Sequence, residues 1–254
     1  MKYFAFADCH GNYGALRNDL ANAGYEASNP EHQLIGLGDY FGRAAVSLTD
    51  CVNIWKYLKS NEHANKPMCL RGNHEDILIK AIGRRSLTDI DIYNGEHNTF
   101  ASFAGRYPNQ IKRDWNAQIS ATETMIKCGF LDWLQNLPYY YETEHQIFVH
   151  GFVPTKCWQG LRLPLDSPQL SSFVWAESAW SQTPNVIEYF MHENPNGINK
   201  WIVFGHWRAS ELNERFNGKE YEVPTPFIDE KHKLVGLDLT TVITDTVGIA
   251  VFNS

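Results

Sequence analysis

The sequence predicts an α/β fold whose chemistry sits at the carboxyl ends of its strands. Three observations lead to it. Through the first 82 residues, short apolar runs alternate with stretches of helical periodicity. Each of those runs stops on an Asp or Asn with a glycine beside it. Two later runs stop on a histidine beside a glycine, at His150-Gly151 and at Gly205-His206, again a side chain able to bind metal. In an open α/β sheet, ligands bind outside the carboxyl ends of the strands. Side chains far apart in the chain are therefore expected on one rim.

The elements follow in order. Lys2 to Ala7 reads as a strand ending in Asp8-Cys9-His10-Gly11, with Leu16, Leu20 and Ala23 marking the helix after it. Leu34 to Leu37 ends in Gly38-Asp39-Tyr40 and is followed by Val46, Val52, Trp55 and Leu58 at roughly helical spacing. Pro67 to Leu70 leads into Arg71-Gly72-Asn73-His74-Glu75, then a helical face of Ile77, Leu78, Ala81 and Ile82. This third turn sets a guanidinium, an amide and an imidazole at a helix N-terminus, where an anion is already favoured. Taken alone, Asn73 fits a helix cap equally well, and His74 a solvated first turn. The recurrence of the pattern is what argues for a site.

From Ile82 to about Asn109 the chain reads as a polar connecting segment, and His97 within it as a surface residue, since no strand points it at the rim. Asp114 to Gln135 reads as a helix ended by Leu137-Pro138. Tyr139 to Glu142 and Gln146 to His150 form a hairpin around Thr143-Glu144-His145. Pro154, Pro164 and Pro168 mark a loop to Ser172, order resumes at Phe173-Val174-Trp175, and Ala179 to His192 is weakly helical. Trp201 to Phe204 is a strand, Glu222 to Pro226 a loop, and Lys233 to Leu239 with Val247 to Phe252 close the fold. Trp158, Trp175, Trp180 and Trp201 are read as packing residues. Trp207, directly after His206, is the one best placed to stack on a substrate. No internal boundary or repeat interrupts residues 1–254, which are read as a single domain.

Composition narrows the function classes. A chain of 254 residues, 43% hydrophobic, can bury a large core. A net charge of −7 argues against a nucleic-acid polymer as partner. No apolar run is long enough for a membrane span, and Met1-Lys2 leads straight into the first strand with no room for a signal peptide. Cys9, Cys51, Cys69, Cys128 and Cys157 are odd in number and unpaired in spacing, as reduced thiols of a cytoplasmic protein are.

Asp8, His10, Asp39, Asn73, His150 and His206 make a ligand set of carboxylates, imidazoles and one amide oxygen. With no thiolate, it suits Mn, Fe, Zn or Mg better than a soft metal. Two such ions about 3.5–4 Å apart can clamp a phosphoryl group and acidify a water between them.

Asp-x-His-Gly, Gly-Asp-x-x-x-Arg, Gly-Asn-His-Glu, His-Gly and Gly-His occur here in that order, and the set resembles the calcineurin-like metallophosphoesterases over nearly the whole chain. Within them it is similar to the phosphoprotein-phosphatase branch, which also contains the symmetrical diadenosine tetraphosphatases. The resemblance implies a four-layer αββα sandwich of two mixed β-sheets flanked by helices. It implies two divalent ions, Mn being expected and Fe, Zn, Ni or Mg acceptable to the same ligands. Asp8, His10 and Asp39 would hold one ion, and Asp39, Asn73, His150 and His206 the other. Arg43 and Arg71 would bind the phosphoryl oxygens, and His74 would protonate the leaving oxygen.

Two departures bear on the expected substrate. The branch usually reads Gly-Asp-x-x-Asp-Arg-Gly, its second Asp orienting the catalytic His; here that position is Gly42. His74 is therefore expected to lack a carboxylate partner, with a lowered pKa and a looser aim. Glu75 and Asp76 do not replace it, because adjacent helical residues do not face each other. The other departure is Gly205-His206-Trp207 in place of Gly-His-Thr. Both departures, and Val46-Ser47-Leu48, look similar to the diadenosine tetraphosphatases. Arg71, the Glu of Gly-Asn-His-Glu and the Asn94-to-Thr99 loop resemble the bacterial-type protein phosphatases. The phosphorylated substrate is thus expected to be a phosphoprotein, with a dinucleoside polyphosphate as the alternative. A non-catalytic phospho-ligand binder is the third reading.

Overall fold

A computed structural model describes residues 1–43, 47–153, 183–194, 197–218 and 224–253. Its strands form two mixed sheets. The first has the order β3-β2-β1-β9, with β1 (Lys2–Phe6), β2 (His32–Gly36) and β3 (Met68–Cys69) parallel and β9 (Ile249–Asn253) antiparallel to β1. The second has the order β4-β5-β6-β8-β7. Here β5 (Gln146–Val149), β6 (Trp201–Arg208) and β8 (Leu234–Asp238) are parallel, and β4 (Tyr140–Glu142) and β7 (Phe227–Asp229) are antiparallel edges.

Among the described residues, strand alternation divides the apolar side chains among three cores. Phe4 and Phe6 of β1 point outward to a core shared with the helices, whereas Ala5 and Ala7 point inward. In the second sheet, Ile147, Val149, Ile202 and Phe204 point outward, and Phe148, Val203 and Val235 inward. The inward sets meet as the layer between the sheets. Outside the first sheet pack α1 (Tyr13–Asn22), α2 (Asp50–Lys59), α3 (Asn73–Arg84), α5 (Glu96–Ala104), α7 (Trp115–Lys127) and α8 (Phe130–Gln135). Outside the second pack α9 (Thr183–Glu193) and α10 (Ala209–Asn217). Two faces per strand and a period of two give four layers, as the resemblance implies.

Three sequence expectations are corrected. The segment between α3 and α7 is helical rather than a polar connection, containing α4 (Asp89–Tyr93), α5 and α6 (Pro108–Ile111). Thr88 and Asp91 start α4 with a capping box, and Phe100, Ala101 and Phe103 bury one face of α5. The stretch from Asp114 to Gln135 is two helices, broken where Gly129 takes φ +79°. His97 is buried in α5 instead of exposed. The expectations for Val46 and for Pro154 to Trp180 lie outside the described residues. Among the described residues, Cys9, Cys51, Cys69 and Cys128 are free thiols, and no helix is long and apolar enough to cross a membrane.

His97 supplies a stability prediction. Burial pushes its pKa from 6.5 down to about 4, helped by the charge of Lys112. A depressed folded pKa means that its contribution is intact above the ordinary value and is lost as pH falls from 6.5 toward about 4. Urea unfolding should show wild type losing about 1 kcal/mol more than His97→Gln between about pH 7 and about pH 5. Equal losses in the two proteins would remove His97 as the cause.

Candidate metal centre

The carboxyl ends of β1, β2, β3, β5, β6 and β8 converge on one rim. Asp8 and His10 follow β1, Asp39 follows β2, Asn73 and His74 open α3 after β3, His150 follows β5, and His206 lies near the end of β6. Asp8, His10, Asp39 and His206 all have φ between 47° and 59°. Left-handed backbone at non-glycine residues clusters where a site needs it. For His206 the cause is visible. The β6·β8 register shifts between Phe204 and Arg208, a bulge that turns the histidine out of the strand's alternation.

The rim is tied together by the chain itself. His10 N–H donates to the Asp39 carbonyl at 3.0 Å, and Gly205 N–H to the His150 carbonyl at 2.8 Å. His206 N–H donates to Asp8 Oδ2 at 2.9 Å, linking the second sheet to the first. A side chain on Gly205 would collide with that same oxygen, which is why this position must be glycine. Glu75, fully buried, accepts from three backbone N–H groups: Asp39 at 2.8 Å, Gly72 at 2.8 Å and Tyr40 at 3.0 Å. It locks the β2 and β3 turns to each other.

Asp39 stands at the middle. Its Oδ2 lies 4.0 Å from His10 Nε2 and 3.8 Å from His74 Nε2, while its Oδ1 lies 3.4 Å from His150 Nε2. Two groups of potential ligand atoms result, His10, Asp39 and His74 on one side and Asp39, His150 and His206 on the other. Asp8 Oδ1 is 3.8 Å from His10 Nε2, and Asn73 Oδ1 is 2.9 Å from His150 Nε2. All six expected ligand residues are thus brought together, and His74 stands with the first group.

The donors suit divalent cations. His10 and His150 both turn Nδ1 to a backbone carbonyl, of Phe41 at 3.4 Å and Leu37 at 3.0 Å, and present Nε2 to the centre. Burial, with a neighbouring imidazole in each case, pushes His10 and His206 down to about 3, which leaves their lone pairs available. Burial opposes ionisation of Asp39, but the charges of His150 and His74 outweigh it and hold the carboxyl well below its usual range. Asp8 is driven well up by burial and then by the Asp238 carboxylate. Crowded buried carboxylates of this kind are what a bound cation relieves.

Other expected residues sit differently. Arg43 lines the pocket over the centre with Asp8, His10, Asp39, Asn73, His74 and His206. Arg71 does not. Its guanidinium donates to the carbonyls of Leu134 at 3.1 Å and Gln135 at 2.5 Å and to the Tyr139 hydroxyl at 2.9 Å, fastening the β3 turn to α8. Trp207 is no stacking platform: it is 5% exposed and packs in the outer core of the second sheet, edge-on to His206. His74 has a carboxylate partner after all. Its Nδ1 lies 2.7 Å from Glu96 Oε1, and the charges of Asp39 and Glu96 outweigh burial and lift its pKa to about 9, opposite to the expectation from Gly42.

Four contributors were missed from sequence: Glu75, Glu96, Arg208 and Asp238. Glu at the third position of a helix after a Gly cap was a readable signal for Glu75. Arg208 and Asp238 face each other across the β6·β8 register and line the same pocket, whose outer lip is Thr240, Val242 and Ile243.

A family model described as calcineurin-like phosphoesterase matches residues 1–227. No protein of curated function matches the sequence. Solved structures similar in fold include a putative diadenosine tetraphosphatase at 14% identity, with 99% of this chain and 89% of that one covered and a TM-score of 0.54. A cold-active protein-tyrosine phosphatase of a psychrophilic Shewanella is 14% identical, with 100% and 75% covered and a TM-score of 0.52. A protein serine/threonine phosphatase from Saccharomyces cerevisiae is 16% identical, with 100% and 80% covered and a TM-score of 0.50.

Proposed function

Because the chain belongs to the calcineurin-like phosphoesterase family, we propose that it is a two-metal phosphoesterase acting on phosphoproteins, with Asp39 shared between the ions. The observation that carries this is the Asp39 carboxylate, whose two oxygens face separate sets of imidazoles. Asp8 and His10 would complete one metal position; Asn73, His150 and His206 would complete the other. When bound, the ions, of which Mn is the expected pair, supply positive charge against the phosphoryl group and acidify a water.

The chain's own groups do the rest. Arg43 and Arg208, at the pocket wall, hold the non-bridging oxygens and offset their charge. His74 keeps Nδ1–H on Glu96 and so presents Nε2–H to the leaving oxygen. That general-acid role is worth about 10²–10⁴-fold. Val242 and Ile243, 45% and 80% exposed, form an apolar lip over which an extended peptide can lie.

A second reading, the symmetrical diadenosine tetraphosphate hydrolase, is favoured by Gly42 and by Gly205-His206-Trp207. Metal-reconstituted protein should be assayed on a phosphoserine peptide, diadenosine tetraphosphate and p-nitrophenyl phosphate. Faster hydrolysis of the peptide supports the protein-phosphatase reading, and a preference for the dinucleotide by orders of magnitude selects the second. Phosphate binding without cleavage of the activated aryl ester from about pH 5 to about pH 9 would mean a binder, since that ester needs little leaving-group protonation.

A further inference from the structure

We propose that Glu96 is the positioning residue for His74, supplying from the first turn of α5 the carboxylate that position 42 lacks. This rests on the phosphoesterase reading above and concerns how this chain aims its acid.

The geometry has three parts. First, the contact is short and sealed: Nδ1 to Oε1 is 2.7 Å, with the two side chains 2% and 0% exposed. Second, position 42 and Glu96 approach the same nitrogen. A Cβ built on Gly42 would lie 3.3 Å from His74 Nδ1 and 3.6 Å from Glu96 Oε1. Gly42 has φ +98°, a conformation strained for any residue with a side chain. A carboxylate at 42 and one at 96 would therefore compete for one place, and this backbone favours the second. Third, α5 is fastened to that turn. Asn98 Nδ2 donates to the Gly42 carbonyl at 3.0 Å, and Gly95 sits so close that a Cβ there would be 2.8 Å from Arg43 Cα. The same docking therefore places Glu96 against His74 and holds the backbone that carries Arg43.

Neighbouring carboxylates leave the role open to Glu96. Both Glu75 oxygens are engaged by backbone N–H groups, and Asp39 Oδ2 faces the other ring nitrogen of His74. A fully buried carboxylate is costly unless paired. Glu96 Oε2 has no hydrogen-bond partner among the described residues, so His74 is the partner that offsets its burial. In the reaction, a water oxygen forms the new bond to phosphorus as the ester P–O bond breaks. The Nε2 proton of His74 moves to the leaving oxygen, one water proton stays on the phosphate and the other restores His74 through solvent, while the Nδ1 proton stays shared with Glu96.

The test is leaving-group dependence in Glu96→Gln, which keeps side-chain shape and removes charge. The metal-loaded variant should lose about 10²-fold in kcat/KM on an alkyl phosphate and less than about 3-fold on p-nitrophenyl phosphate. Equal loss on both esters, or none on either, overturns the proposal. Wild type inactive on both esters would instead overturn the phosphoesterase reading. A second readout needs no metal: wild type should show a strongly downfield imidazole N–H proton resonance that disappears in both Glu96→Gln and His74→Asn. Absence of that signal in wild type overturns the pairing even if the variant fails to fold.

Discussion

Asp39→Ala is expected to release both metal ions and to lower phosphoesterase turnover by at least about 10⁴-fold, a larger loss than removing one charge-stabilising donor produces. The reason is geometric. In the proposed arrangement every other ligand serves one side of the centre, whereas the Asp39 oxygens lie 3.8 and 4.0 Å from His74 and His10 on one side and 3.4 Å from His150 on the other. Asp8→Ala should therefore cost one equivalent of metal and Asp39→Ala two. Elemental analysis of the reconstituted variants reads this directly. Asp39 has φ 55°, where alanine is strained by about 1–2 kcal/mol. Asp39→Asn is the control, because asparagine tolerates that backbone. If Asp39→Ala kept one full equivalent, the carboxylate would belong to a single site and the shared-ligand arrangement would be wrong.

The rim was readable because each strand end carries its proposed ligand within four residues of an apolar run, with glycine where another segment approaches closely. Asp8, Asp39, Asn73 and His150 follow their strands in this way, and period-two alternation explains why Phe4 and Phe6 part company from Ala5 and Ala7. What sequence did not disclose are contacts made by reach. Arg71 stands two residues from Asn73, yet its long arm turns back to the carbonyls of α8. Trp207 adjoins His206, but the bulge that swings the histidine into the site leaves the indole in the core. Glu96 lies 22 residues from His74, in a stretch whose polar text hid two buried aromatic rings. The Thr88 capping box was the local signal that this stretch is helical. The partnership itself depends on how α5 docks on the turn at Gly42, which no periodicity encodes.

Glu75→Ala should be the most destabilising single change near the site, although Glu75 lines no part of the pocket described. Removing the carboxylate strands three buried N–H groups, those of Asp39, Tyr40 and Gly72. At about 1–3 kcal/mol for each buried donor left unsatisfied, the loss is about 3–9 kcal/mol, a large share of the roughly 5–15 kcal/mol that holds a domain folded. One effect acts the other way. Burial and the nearby Asp39 charge both work against an ionised Glu75, so its removal relieves some repulsion. That relief is greatest without metal and smallest when cations already balance Asp39. The destabilisation should therefore be larger in the metal-loaded protein than in the metal-free one, and metal affinity should fall about 10–100-fold, as when a group supporting a ligand is lost. Urea unfolding of both forms measures the difference. A variant with wild-type unfolding midpoint and metal affinity would mean that the β2 and β3 turns hold their geometry without Glu75.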